Sequence, residues 1–450
     1  MIKQLTYGFG LAASLALVGC GSGGGDGSHA ATTFTYMGPN LLTTASVPGI
    51  SSAVSYSFDL GTVDAGTGRY YVTDRTNKSI DVVDTSSNTV IAQFKNGFTG
   101  CKLAPNGAAS PSCLAVGGVG VNNDASGPDG LDVVGANLFA GDVNALWVLD
   151  KTSGATVKKI GIGGASKLRA DEGCYDSVDN IYAISSPGEN PPFMTVVDAA
   201  NFNVLATVYF QSAGLEACTY DPTTKQFFVN NDGSAANGRG ELSGYSAATF
   251  NALKAPALAV VGGSNWPGVA QYNFPGAALA GVNPSPAGAV AFPGTTVAYA
   301  LGNCDPTGLA LGPGTDIGSM CRQGNVGETL TFQILNRTTG AVVATVPAGG
   351  GDQIAYDATS NRWFLANSRW TLDGKSCNDG TKVAGCTLTP VLASVDGTSR
   401  VLLGNAPNGN NSHSVAVLPG VKVFTPFTAP SATGGGAAFP NGGITVFSTN

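Results

Sequence analysis

One short pattern recurs along this chain and limits what it can fold into. An apolar, β-branched or aromatic run ends in Asp or Asn, a polar Thr/Ser-rich turn follows, and a second β-branched run returns. It reads Arg69–Asp74, Ser79–Asp84 and Thr89–Phe94, with Asn77-Lys78 and Thr85–Asn88 as turns. It returns as Ala145–Asp150, Thr152–Gly154 and Ala155–Val157, then as Met194–Asp198 with Val204–Val208, then as Phe332–Asn336, Thr338–Gly340 and Val342–Val346. Runs of this length and composition are strands, and the residues between them are turn formers. A hairpin of this kind cannot bury its own faces, so copies must stack on one another. Composition agrees: Gly is 64 of 450 residues and only 11% are charged, which a helical bundle would not carry. At 43% hydrophobic, the chain is also too apolar for a disordered one. The fold class expected is all-β.

The strand Tyr71-Val72-Thr73-Asp74 differs only in its last residue from the Tyr-Val-Thr-Asn of a known repeat. With the polar turn, the Val-Val-Asp strand and the Val-Ala-Thr strand of the later copies, the sequence resembles the YVTN-repeat β-propeller family over most of 50–450. The resemblance implies a ring of antiparallel blades. Aligning on the Asp that ends several inner strands (Asp64, Asp176, Asp221, Asp357) yields inner strands Ser57–Asp64, Asp129–Val134, Asp171–Asp176, Glu216–Asp221, Thr307–Gly312, Asp352–Asp357 and His413–Leu418. These predict a seven-bladed β-propeller over 33–450, each blade four-stranded. Lys95–Pro128, Ala252–Ala291 and Trp370–Thr389 then read as insertions. The last blade lacks an outer strand, and Thr33–Met37 is expected to supply it, so that an N-terminal strand closes the ring.

The N-terminus reads as an address. Lys3 precedes a 12-residue apolar run, Tyr7–Val18, too short to span a bilayer and suited to a signal peptide. The run ends in Leu17-Val18-Gly19-Cys20, which resembles the lipobox of bacterial lipoproteins. That resemblance implies a signal peptide over 1–19, lipidation of Cys20, a Gly/Ser-rich tether over 20–32, and an exported protein held at the outer membrane on its periplasmic or surface face. The other eight cysteines fit an oxidising compartment, and nearest-neighbour pairing suggests 101–113, 174–218, 304–321 and 377–386 among the possible connectivities.

The chemistry-bearing residues fall at the starts of the inner strands: Asp59, Asp129, Asp171, Glu216, Thr307, Asp352 and His413. Propellers of the resembled type open there onto a central channel, where this acid-rich set forms a ligand-binding ring. Carboxylates crowded around one axis repel one another unless a cation or a shared proton offsets them. Ca²⁺ or another divalent cation is the expected partner, with Asp171, Glu216 and Asp352 as candidate ligands and His413 as candidate general base. The alternative is that the acids pair with Arg169 and Arg75. A net charge of −7 excludes nucleic acid as partner. No Gly-x-Ser-x-Gly elbow, phosphate loop or C-x-x-C is present. Two functions follow: a monomeric, lipid-anchored propeller binding a small molecule or protein at the channel or rim, or a metal-dependent hydrolase, lactonase or lyase acting in the channel.

Overall fold

The repeating Asp organises the turns of several hairpins. At Asp84 the carboxylate Oδ1 accepts from the backbone N–H of Ser86 (3.0 Å) and Ser87 (2.8 Å). Asp150 does the same for Thr152 and Ser153, Asp198 for Ala200 and Asn201, and Asp396 for Thr398 and Ser399. The side chain thus satisfies amides that the turn leaves without ladder partners. Asn88 then takes a positive φ of 56° to return the chain, a conformation Asn tolerates better than most residues.

The computed structural model describes residues 37–51, 54–103, 108–109, 121–210, 214–222, 225–231, 241–252, 259–262, 270–273, 287–291, 299–302, 332–335, 342–371, 388–428 and 441–450. Met37–Asn450 is a β-propeller built as a single unit. In the blade of Phe58–Asp64, Arg69–Asp74, Ser79–Asp84 and Thr89–Phe94, strands pair antiparallel in chain order. The two middle strands are buried along almost their whole length, while the outer one is partly exposed. Both faces of a blade are covered by its neighbours, which is why runs such as Tyr70-Tyr71-Val72 are continuously apolar. The core therefore lies between blades: Tyr70, Val72 and Val83 of this blade pack with Phe424, Ile444 and Val446 of the next.

The expectation of seven four-stranded blades is corrected. Six such antiparallel blades form, with innermost strands Phe58–Asp64, Leu131–Val134, Leu215–Asp221, Ala287–Ala291, Ile354–Asp357 and Ala416–Leu418. The sheet of Gly173–Asp176, Ile181–Ser186, Phe193–Asp198 and Asn203–Tyr209 takes a fifth strand, Ala259–Gly262, in parallel with Asn203–Tyr209, and is mixed. The inner strands follow one another in chain order, and Ala416–Leu418 returns to Phe58–Asp64. The segment 252–291 is not a plain insertion. It contributes Ala259–Gly262, then Ala270–Asn273 as the outer strand of the next blade, then the inner strand Ala287–Ala291. Two of these are short Ala/Gly/Val runs and Ala270–Asn273 reads Ala-Gln-Tyr-Asn; none carries the Asp-turn signature, so the anchor passed them over. Thr307–Gly312, expected as that inner strand, lies outside the described residues.

The closing strand is also shifted. Leu41–Ala45 pairs with Gly443–Ser448, with Thr44 opposite Thr445 and Ala45 opposite Ile444. Met37 lies outside this strand and is exposed, while 33–36 are outside the described residues. Burial decides the choice, because Ala45 and Val47 enter the core beside Tyr56 and Phe58. Among the described residues no helix is long and apolar enough to cross a membrane. Cys174 and Cys218 are disulfide-bonded, as nearest-neighbour pairing suggested, and they join the inner strands of adjacent sheets. Cys101 is disulfide-bonded as well. The cysteines of the other two expected pairs lie outside the described residues.

Candidate functional site: a divided ring of carboxylates

The six described ring residues sit at, or up to three residues before, the first residues of the inner strands. Two of them stand where the ladder is irregular. Register shifts between Phe58 and Gly61, and between Leu215 and Cys218, fall at Asp59 and at Glu216. A bulge of this kind re-aims a side chain away from the alternation of a regular strand. Neighbouring inner strands come very close: a Cβ on Gly130 would stand 1.5 Å from the carbonyl oxygen of Asp171, so only glycine fits there.

The ring divides into two halves. In the first, Arg75 is buried between two acids, with Nη2 2.6 Å from Asp59 Oδ2 and Nε donating to Asp129 Oδ1 at 2.8 Å. Arg169 Nη1 lies 2.9 Å from Asp171 Oδ2 and 3.5 Å from Asp59 Oδ2, while its Nε faces Asp124 at 3.3 Å. His413 stacks on Phe58, and its two ring nitrogens face oxygens: the Asn411 carbonyl at 2.8 Å and Asp59 Oδ1 at 3.2 Å. Burial raises the Asp59 carboxyl, but Arg75, the His413 hydrogen bond and Arg169 more than offset it and hold it low. Burial dominates at Asp171, pushed up to about 7 against the pull of Arg169. It dominates at Asp129 too, whose Oδ2 is buried without a hydrogen-bond partner.

In the second half, oxygens of Glu172, Glu216 and Asp352 all lie within 4.8 Å of one another. Glu172 Oε1 accepts from Gln353 Nε2 at 2.5 Å, whereas Asp352 Oδ1 is buried with no hydrogen-bond partner. Among the described residues no Lys or Arg is in ion-pair contact with Glu172 or Asp352. Burial pushes the Glu172 carboxyl well up, and the charges of Asp171, Asp352 and Asp59 add to it. Glu216 lines a polar pocket of about 510 Å³ together with Asp124, Arg169 and Glu189. Glu172 lines a smaller cavity of about 150 Å³ with Asp132, Gln353, Cys218 and Ser414. Glu216 and Glu172 thus open onto different spaces.

The structure therefore brings Asp59, Asp129, Asp171 and His413 together around two arginines, and Glu216 with Asp352 around Glu172. Asp171, expected beside Glu216 and Asp352 as a ligand, is turned to Arg169 instead. Thr307 lies outside the described residues. Glu172 was missed because the alignment took one residue per strand, although an Asp171-Glu172 dipeptide at that point was visible. Arg75 and Arg169 were considered as partners, and for one half of the ring they are.

No protein-family model matches this chain, and no curated protein matches it. Among solved structures it is similar to the hydrazine synthase of Kuenenia stuttgartiensis, with a TM-score of 0.56 and 12% identity over 90% of this chain and 99% of that one. It is also similar to a chain in a crystal structure of a mitotic checkpoint complex, with a TM-score of 0.51 and 12% identity over 97% of this chain and 99% of that one. At that identity the likeness concerns the fold alone. The chain is a β-propeller.

Proposed function

We propose that this protein is a binding propeller that holds a divalent cation, Ca²⁺ foremost, at Glu172, Glu216 and Asp352, and presents it to a ligand in the adjoining polar pocket. The observation that carries the reading is the split of the ring. One half contains its own arginines, whereas Glu172 and Asp352 lack any cationic contact among the described residues, and a buried oxygen of Asp352 lacks a partner. Oxygens bound to one Ca²⁺ at 2.3–2.6 Å lie at most about 5 Å apart, and the trio's 4.8 Å spread meets that limit. Carboxylates are the hard donors such an ion takes, and water from the pocket would complete its shell. The hydrolase, lactonase or lyase reading relies on His413 as base. Both its nitrogens contact oxygens, which favours binding over catalysis. The lipobox-like Leu17–Cys20 supports an exported protein anchored through Cys20, and Tyr71–Asp74 supports kinship with the YVTN-repeat propellers.

The test is thermal unfolding of the purified full chain with EDTA or with CaCl₂ at pH 7.5. At a hundredfold excess over Kd, a site on the native state adds about 2.7 kcal/mol. The gain should vanish in Glu172→Gln/Asp352→Asn, whose blades remain folded by circular dichroism. An unchanged Tm in the parent protein, together with no heat on calcium titration, would sink the reading.

A further inference from the structure

We infer that the Cys174–Cys218 disulfide is a positioning device for the cation site, so that the oxidation state of this bridge sets the site's affinity. The inference rests on the cation reading above.

Glu172 and Glu216 belong to different sheets, so no hydrogen-bonded ladder holds one in register with the other. Each lies two residues before a cysteine, and those two cysteines are bonded to one another. The bridge joins backbones 5.4 Å apart between Cα atoms, about two residues of extended chain from each carboxylate. Glu216 also sits at the register shift between Leu215 and Cys218, where its own strand constrains it least. The bridge itself is fixed, because Cys174 and Cys218 are buried in a cluster with Ile181, Val196, Leu215 and Val229. Cys218 further lines the small cavity that Glu172 lines.

Binding a cation requires these buried carboxylates to ionise side by side, where burial and like charge both oppose it, and the sheet-to-sheet contact is what must hold them together. A covalent tie close to both carboxylates keeps them converged, so a bound cation need not supply the cost of gathering them. Reduction by a dithiol, which gives up two electrons and two protons and becomes a cyclic disulfide, turns the bridge into two thiols. The carboxylates then separate and the affinity falls. Linkage makes the effect reciprocal, so a bound cation protects the disulfide.

Two measurements test this on the full chain. Calcium titration calorimetry compares the oxidised parent with Cys174→Ala/Cys218→Ala, each first shown folded by circular dichroism. We expect at least tenfold weaker binding in the variant. Equal affinity overturns the inference and leaves the cation site standing, while absence of binding in the oxidised parent overturns both. Should the variant not fold, the parent is equilibrated with dithiothreitol redox couples, with and without CaCl₂, and Cys174 and Cys218 are quantified by thiol alkylation and mass spectrometry. A tenfold linkage moves the midpoint about 30 mV toward more reducing potentials in calcium. A merely structural bridge would show no calcium-dependent shift, and that result overturns the inference.

Discussion

Asp74 and Asp81 show how a single blade can store a titration. Both are fully buried on adjacent strands of the Phe58–Phe94 blade. Asp74 accepts from the backbone N–H of Asn77 at 2.8 Å, and Asp81 Oδ1 from Gln93 Nε2 at 2.9 Å. Burial raises both carboxyls, Asp74 to about 6, and the charge of Asp74 pushes Asp81 up as well. Since both folded-state values lie above the unfolded ones, the stability tied to them is present at low pH and lost as pH rises through 6 and beyond. Asp171, at about 7, and Glu172 act in the same direction. Asp59 acts in the opposite one, its contribution being lost only in acid below the unfolded carboxyl range. The expected outcome, in EDTA, is a Tm that declines from pH 5 to pH 8. Asp81→Asn cannot ionise and removes a charge facing Asp74, so it should flatten that decline. A pH profile unchanged by the substitution would refute the part assigned to this pair.

At the scale of the element, the same residue type does two different jobs that burial separates. Asp150 caps its turn from an exposed position, where water replaces its hydrogen bonds readily. Asp357 is buried at the hairpin of an inner strand. Its Oδ1 accepts from the N–H of Thr359 at 2.9 Å, and its Oδ2 from Ser360 Oγ at 2.6 Å and from the N–H of Gly420, on the neighbouring blade, at 2.9 Å. Asp357→Ala removes all three hydrogen bonds, one of them from the neighbouring blade, and should cost about 1–3 kcal/mol. Asp150→Ala should leave the urea midpoint nearly unchanged. Comparable losses from the two would mean that the turns, and not the contacts between blades, limit stability.

For the molecule as a whole, the strand that closes the ring lies not far along the chain from the proposed lipid anchor. Leu41–Ala45 completes the blade of Ala416–Leu418, Lys422–Phe427 and Gly443–Ser448, covering an edge that would otherwise offer unpaired backbone groups. That strand begins 21 residues after Cys20. We expect Cys20→Ser to move the protein from the membrane fraction to the soluble one, with its Tm unaltered. The variant remaining in the membrane fraction would refute lipid anchoring through this residue.

The propeller and its hairpins were legible in the sequence, because the Asp-turn signal is local: carboxylate, turn amides and β-branched strands all lie within a few residues. The starts of six inner strands, and with them Asp59, Asp129, Asp171, Glu216, Asp352 and His413, could be placed by that local anchor. Their grouping was decided by tertiary structure. Asp59, Asp129 and Asp171 come from separate blades, and only the closed ring brings Arg75 and Arg169 among them. Glu172 meets Glu216 and Asp352 from a different sheet, beside a register shift and a disulfide. The fifth strand and the closing strand escaped for a related reason. Ala259–Gly262 and Leu41–Ala45 are held by partners distant in sequence, and by the apolar surface those partners cover, which no local pattern encodes.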